Sequence, residues 1–398
     1  MKSKAILLLA STGMLHAGSP DLAVALPAAK ESWITPLVDI RARYEFADVD
    51  GLDPSHALTT RERLGLKTME WYGFSALVEG EFSQALVSDY NGGAPGANPF
   101  DPSNSLIADP QTNELNQAYL QYSGHDTTVR GGRQRIIYDN SAFIGNVGWR
   151  QNEQTYDGIS LSNKSIAGLT LNYAYVNQVN RIYGSDAGGT LENVPGDLHL
   201  FNVNYTGIKG VTVGGYAYVM NFQDINGWDN NTFGIHAKGD VAGLTLYGEF
   251  ALQDRAGPLN DTTACYFHVN ATKTFGAQSI TLGVEELDSG FQTPLATLHA
   301  FDGFADAFVS QRANGTHGGL TDLYLSHTLP VCWGMKWTNV LHAFGDNAIA
   351  TDRGWEIDSM LVKKFDEHFT AIAEVAHFET EDTLPTTTRV SLEIDYKF

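Results

Sequence analysis

Apolar and polar side chains alternate with a period of two residues along most of this chain. Between Arg389 and Phe398 every second residue is apolar, and each residue between them is polar. Successive side chains of a β-strand point to opposite faces, so the pattern predicts a strand with one apolar and one polar wall. Such a strand is typical of an outer-membrane β-barrel, whose outer face meets lipid and whose inner face meets a wet lumen. A two-faced strand of a soluble sandwich is the alternative on this stretch alone.

The same alternation predicts eighteen strands. They span 37–47, 58–69, 73–87, 113–123, 127–138, 154–163, 168–180, 197–206, 210–222, 231–240, 243–254, 263–275, 278–287, 319–329, 334–345, 353–364, 368–380 and 387–398. Tight turns alternate with longer polar stretches at 88–112, 139–153, 181–196, 223–230, 255–262, 288–318 and 346–352. An even strand number with short turns on one rim and long loops on the other is typical of single-chain outer-membrane barrels.

The predicted fold is therefore all-β: a single 18-stranded antiparallel transmembrane β-barrel over residues 33–398, with short periplasmic turns and long extracellular loops. A barrel of about 16–18 strands encloses an aqueous channel. A β-propeller also has many short strands, but it repeats a blade signature every 40–50 residues or so, and the chain has no such repeat.

The N-terminus has the features of a secretory signal. Lys2 and Lys4 precede an apolar run from Ala5 to Leu15, which small residues follow. The run is shorter than the roughly 20 residues of a membrane-spanning helix. We expect a signal peptide over residues 1–25, with cleavage after Ala17 as the alternative, and hence an exported protein.

Composition excludes several classes. The formal net charge of −21 argues against nucleic-acid partners, because nucleic-acid phosphates would be repelled. Two cysteines, Cys265 and Cys332, do not make a disulfide framework. The topology places them near opposite rims, so we expect no bond between them. Ser326 and His327 are adjacent and point to opposite faces, no metal-ligand spacing stands out, and we expect neither an enzyme nor a cofactor.

Two stretches resemble a known family. Residues 132–158 (GRQRIIYDNSAFIGNVGWRQNEQTYDG) look like the signature of alginate-export porins, and residues 299–308 (HAFDGFADAF) resemble a second block. With the N-terminal DIRARYE at 39–45, the resemblance spans essentially the whole mature chain. It implies an eighteen-stranded outer-membrane barrel in a family whose best-known member exports a polyuronate through an arginine-rich lumen. Fold carries over within such a family better than substrate does.

Arginines are concentrated in the first part of the chain, where eight of thirteen precede residue 151. Pairs two residues apart share a strand face, so they should line one wall of the lumen. The predicted solute path comprises Arg41, Arg43, Arg61, Arg63, Arg133, Arg135, Arg150, Arg353 and Arg389, with the carboxylates Glu79, Glu81 and Asp157. Two interpretations stay open: an anion-selective strip, since guanidinium groups bind carboxylates and rings of Arg select anions, or arginine–carboxylate ladders that only stiffen the wall.

Two long stretches carry further expectations. Phe301, Phe304, Ala305 and Phe308 have the spacing of one helix face, so the 288–318 loop either folds inward as a constriction or packs on the outer rim. Acidic and amide residues in the 88–112 loop suit Ca²⁺, although a solvated loop is the simpler reading. Aromatic residues near the predicted strand ends should form an interfacial girdle: Trp71, Tyr72, Trp149, Trp333 and Trp337.

The sequence therefore predicts an outer-membrane porin of a Gram-negative bacterium that passes hydrophilic solutes passively. Expected partners are outer-membrane lipid and lipopolysaccharide, saccharide or polyuronate solutes, and the barrel-assembly machinery through Phe398. The alternatives are a general or neutral-sugar diffusion porin and a structural barrel closed by its loops.

Overall fold

The computed structural model describes residues 32–225, 227–255, 263–315, 318–346 and 352–398, so the predicted signal peptide lies outside the described residues. The described chain forms one closed antiparallel sheet of eighteen strands. The first nine are β1 (Ile34–Val49), β2 (Ser55–Thr68), β3 (Phe74–Asp89), β4 (Thr112–Gly124), β5 (Thr127–Gln134), β6 (Thr155–Asn163), β7 (Leu169–Asn180), β8 (Asn193–Ile208) and β9 (Val211–Phe222). The others are β10 (Asn230–Val241), β11 (Leu244–Arg255), β12 (Thr263–Phe275), β13 (Gln278–Leu287), β14 (Leu320–Pro330), β15 (Lys336–Gly345), β16 (Asp352–Lys364), β17 (Phe369–Thr380) and β18 (Thr387–Lys397). The predicted fold class and strand number are confirmed.

The C-terminal strand closes the barrel. β18 pairs with β1 in a continuous register, with Arg41 opposite Asp395 and Arg43 opposite Glu393. Directly opposite residues of an antiparallel pair lie on the same face, so each of these pairs places an arginine beside a carboxylate inside the barrel. Leu392 and Ile394 are on the opposite, exposed face.

The wall is lowest at β5 and β6. These strands have 8 and 9 residues, whereas β3 and β8 have 16. The chain between them, residues 135–154, turns into the barrel instead of continuing the wall, and we call it the first inner segment. Its Phe143 packs on Tyr216 and Tyr218 of β9, with ring centroids 5.0 and 6.3 Å away.

A second inner segment, described over residues 288–315 and 318–319, lies between β13 and β14. It contains a 3-10 turn, Leu298–Ala300, and a short helix, α2 (Val309–Asn314). Another short helix, α1 (Gly189–Glu192), lies in the β7–β8 loop. The ring of Phe308 packs 4.6 Å from that of Phe344 and 5.4 Å from that of Phe378, measured between centroids. The segment therefore folds inward, onto the inner faces of β15 and β17.

The two inner segments give the barrel an apolar core of its own. Buried side chains of both segments form one cluster with inward-facing residues of β7–β9 and β12, among them Ile136, Phe143, Val176, Leu198, Tyr218, Tyr266, Phe291 and Phe308. Within the described part of the chain, no helix is long and apolar enough to cross a membrane. Cys265 and Cys332 are free thiols, as expected.

Candidate functional site

The lumen wall at the seam is built from arginines. Arg41 donates from Nε to Asp395 at 3.0 Å, and Arg43 donates from Nε to Glu393 at 2.9 Å. Both also donate to the backbone carbonyl of Trp149 in the first inner segment, at 2.9 Å from Arg41. The seam arginines thus hold the segment by its main chain while their charges are balanced by β18.

The next strands continue the same arrangement. Arg61 pairs with Asp39, and Arg63 pairs with Glu81 and lies 3.7 Å from a carboxylate oxygen of Glu153. Arg61 and Arg63 are buried, like Arg41 and Arg43. These four arginines face inward as predicted, but each lies in a packed ion-pair network instead of presenting a free guanidinium to solvent.

Two further arginines converge on one carboxylate. Nη1 of Arg150 and Nη1 of Arg389 both lie 3.1 Å from oxygens of Glu45. Arg150 also contacts Asp306 at 2.8 Å, and Arg389 donates to the carbonyl of Ala305 at 2.8 Å. The two guanidinium groups therefore connect the wall and both inner segments.

Glu153 is a second connecting point. Arg135 donates to it from Nε at 2.7 Å, and the amide of Asn116 donates to both Glu153, at 2.7 Å, and Glu79, at 2.8 Å. Burial raises the pKa of Glu153, but the guanidinium groups of Arg135 and Arg63 outweigh burial and hold that pKa well below its usual range. Glu153 is therefore ionised at neutral pH, and its charge balances that of Arg135.

Two predicted lumen residues are on the other side of the wall. Arg133 pairs in register with Ala118 and Asp157, and Asp157 shares its strand face with the exposed Ile159. The expectation that Arg133 and Asp157 face the lumen is wrong. The pattern misled because β5 ends at Gln134, beyond which apolar side chains pack inside the barrel and not against lipid.

Arg353 of the predicted solute path lies on β16, away from the seam, and donates to Gln311 of the second inner segment at 2.8 Å. One expectation about the aromatic residues needs correction. Trp149 is not part of the interfacial girdle. It is buried in the lumen, with its ring 4.2 Å below the guanidinium carbon of Arg43. Trp71 and Trp333, by contrast, are exposed near the short-turn rim.

The second inner segment carries polar anchors that the sequence pattern did not single out. His299 lies 2.8 Å from Asp306 through Nδ1 and 3.0 Å from Glu374 of β17 through Nε2. Arg312 lies 2.7 Å from Asp302 and 2.6 Å from Glu285 of β13. A histidine or arginine within an apolar loop indicates a polar anchor, because a buried charge requires partners of opposite charge.

The wall opposite the seam, on β9 and β11, is aromatic. The sequence pattern did not single out these aromatic residues either. Tyr216 stacks on Tyr218 at 4.8 Å between centroids, and it donates a 2.8 Å hydrogen bond to Glu249. Tyr247 donates to the same carboxylate at 2.6 Å. These tyrosines alternate with lipid-facing residues on β9 and β11, so their inward direction depends on strand register, which the composition of each strand leaves ambiguous.

The 88–112 loop lies over the seam. Its Asp109 accepts hydrogen bonds from Arg43 at 3.2 Å and from the backbone N–H of Gln151 at 2.8 Å. Asp101 accepts from Ser103 at 2.7 Å. Among the described residues, no group of three or more His, Cys, Asp or Glu side chains has a metal-binding arrangement.

Comparison with known families agrees with this architecture. The model of the family described as Alginate export matches residues 33–253, which is more than half of the chain. The chain belongs to the alginate-export family. No curated protein sequence matches this alginate-export family member.

Solved structures show the same barrel. OccAB4 of Acinetobacter baumannii superposes with a TM-score of 0.71 at 13% identity, covering 93% of this chain and 99% of that chain. OccK9 (OpdG) of Pseudomonas aeruginosa gives 0.69 at 15%, covering 92% and 98%. OpdK of P. aeruginosa, solved with vanillate, gives 0.68 at 13%, covering 91% and 98%. At these identities the likeness concerns the fold of this alginate-export family barrel, not its solute.

Proposed function

We propose that this barrel is a passive channel of the Gram-negative outer membrane for small hydrophilic solutes that carry a carboxylate, uronates included. The observation that carries the proposal is the arginine wall of β18, β1 and β2, which lies where the inner segments narrow the lumen. Guanidinium groups hold carboxylates in bidentate geometry, and a carboxylate entering this wall can replace a protein carboxylate as partner.

Small solutes fit the architecture better than long chains. Two inner segments occupy the barrel and bury residues such as Phe308 and Trp149 against its inner wall. A polymer would require both segments to move away from several ion pairs at once. The related fold of OpdK holds vanillate, a compact aromatic carboxylate, and this supports a solute of similar size and charge.

The second candidate is a general or neutral-sugar diffusion channel without anion preference. It is favoured by the pairing of the lumen arginines, because a guanidinium already bound to Glu393 or Glu81 presents less positive potential to a passing ion. A purely structural role is sufficient for such paired charges, in which they keep the wall rigid and hold the inner segments in place.

Reconstitution separates the candidates. In planar bilayers under a KCl gradient, the purified protein should show a reversal potential of the sign that indicates chloride preference. Liposomes that contain the protein should swell faster in isotonic potassium glucuronate than in isotonic glucose. Equal rates with no ion preference would favour the general channel. Cation preference would overturn the carboxylate proposal, and absent conductance would favour a structural barrel.

A further inference from the structure

One charged pair lies on the outer wall of the barrel. Arg133 of β5 binds Asp157 of β6 through two nitrogens, with Nε–Oδ1 at 2.7 Å and Nη2–Oδ2 at 2.9 Å. Gln178 and Asn180 of β7 donate to the same carboxylate, at 3.3 and 3.0 Å. By register these side chains share the face of Ala118 and Ile159, which is the face that meets lipid.

This polar patch lies at a depth where polar groups are costly. Arg133 is the seventh residue of β5 counted from the short turn that begins the strand. About nine to eleven residues of a tilted strand cross the hydrocarbon region, so the pair lies in the outer part of that region, one residue before β5 ends. Charged side chains on the lipid face are destabilising there, and acyl chains offer them no hydrogen bonds.

The surface around the pair is recessed. A groove of about 500 Å³ opens outward here, lined by Leu115, Ala118, Arg133, Asp157, Ile159 and Tyr175. Gly132 and Gly158 form its floor, and an added Cβ at either would lie closer than 2.5 Å to a backbone oxygen of the neighbouring strand. The wall is also lowest here, because β5 and β6 are its two shortest strands. A second protein surface can therefore approach closely.

The pair is self-complementary under one symmetry operation. When two copies face each other across a two-fold axis parallel to the barrel axis, left and right are exchanged, so β5 of one copy lies opposite β6 of the other. Arg133 then faces Asp157 of the partner subunit twice, and four charges alternate in sign around the axis. Closed two-fold interfaces use the same patch on both subunits in this way.

We propose that this patch is the interface of a two-fold dimer of this chain, in which Arg133 of each copy faces Asp157 of its partner. The charge balance argues for a protein occupant. Anionic lipid head groups are bound by clusters of basic side chains, whereas the carboxylate of Asp157 cancels the charge of Arg133 within the patch.

Cross-linking in native outer membranes tests the interface. In a background with Cys265→Ser and Cys332→Ser, Ile159→Cys should give a covalent dimer with a short bis-maleimide. Leu282→Cys is the matched control, since it lies on β13 and its leucine is exposed on the lipid face to a similar extent. Dimer yield at position 159 should exceed the control several-fold. Equal yields, or cross-links only to other proteins, would overturn the proposal.

A charge exchange tests the geometry. Arg133→Asp alone and Asp157→Arg alone should each abolish the dimer, because like charges meet at the axis. Differently tagged copies of the two variants, expressed together, should form a heterodimer, since two acids then face two arginines. If either variant fails to insert into the membrane, the neutral double variant Arg133→Gln with Asp157→Asn replaces it. This variant should lower the yield of the cross-linked dimer through Ile159→Cys. Failure of the heterodimer to form would contradict the interface. Loss of bound glycolipid from the neutral variant, with no dimer of the native chain, would contradict it as well.

Discussion

The imidazole of His299 lies face to face on the indole of Trp149, with 4.1 Å between ring centroids and 4° between ring planes. The two residues belong to different inner segments, and the same imidazole contacts Asp306 and Glu374 through its two nitrogens. One side chain therefore joins both inner segments to β17. Because both ring nitrogens face carboxylates, the doubly protonated imidazolium satisfies the site best.

This contact predicts a pH dependence. Burial lowers the pKa of His299, but the carboxylates of Asp306 and Glu374 outweigh burial and raise it from 6.5 to about 9. Because the pKa of His299 is raised in the folded protein, its imidazolium contributes stability that is fully present below about pH 6.5. This contribution is lost as pH rises through about 9. We expect single-channel current to become noisier or larger above pH 9, measured in bilayers between pH 6 and 10.

The control is a histidine outside the lumen. His299→Gln should remove the transition near pH 9, whereas His327→Gln should retain it, because His327 lies on the outer face beside Gln278. A transition that survives His299→Gln would assign the pH dependence to another group.

Arg43→Met should destabilise the barrel. Arg43 is fully buried and lies 2.9 Å from Glu393 and 3.2 Å from Asp109, so its removal takes the nearer of two cations from each of these buried carboxylates. Breaking a buried pair in this way costs about 3–5 kcal/mol. Urea unfolding in lipid vesicles measures the loss. Arg130→Met is the matched control, since Arg130 is half-buried and bonded to Gln121, and it should change stability by less than about 1 kcal/mol.

Phe308→Ala should loosen the second inner segment. Its ring is fully buried between Phe344 and Phe378, and deleting a buried phenylalanine side chain costs about 3–5 kcal/mol. We expect a larger mean conductance and faster proteolysis of the second inner segment in the assembled barrel. Phe365→Ala, at an exposed position of the short-turn rim, should alter neither. Unchanged conductance in Phe308→Ala would mean that the segment does not limit the pore.

Substitutions at one ion pair should shift ion selectivity in opposite directions. Glu153→Gln removes the carboxylate that neutralises Arg135, so the reversal potential under a KCl gradient should move toward chloride preference. Arg135→Gln should move it toward cation preference. Shifts of the same sign would show that structural change, and not local charge, controls the permeation of ions.

Much of the fold follows from the sequence pattern. Two-residue alternation located all eighteen strands, and closure of a barrel with that strand order brings β18 beside β1. The inward direction of Arg41, Arg43, Arg61 and Arg63 also followed, because strictly alternating strands leave no other choice of face. Alternation failed at Arg133, where the strand ends and apolar residues such as Ile136 are buried inside the barrel.

The sequence by itself determined a membrane barrel with arginines on one wall, since those properties depend on neighbouring residues within each strand. Only the tertiary structure decided what the arginines contact. The carbonyl of Trp149 lies 108 residues from Arg41 along the chain, and the carboxylate of Glu393 lies 350 residues from Arg43. Contacts at such separations arise from the closure of the barrel and the inward path of two loops, and no local pattern encodes them.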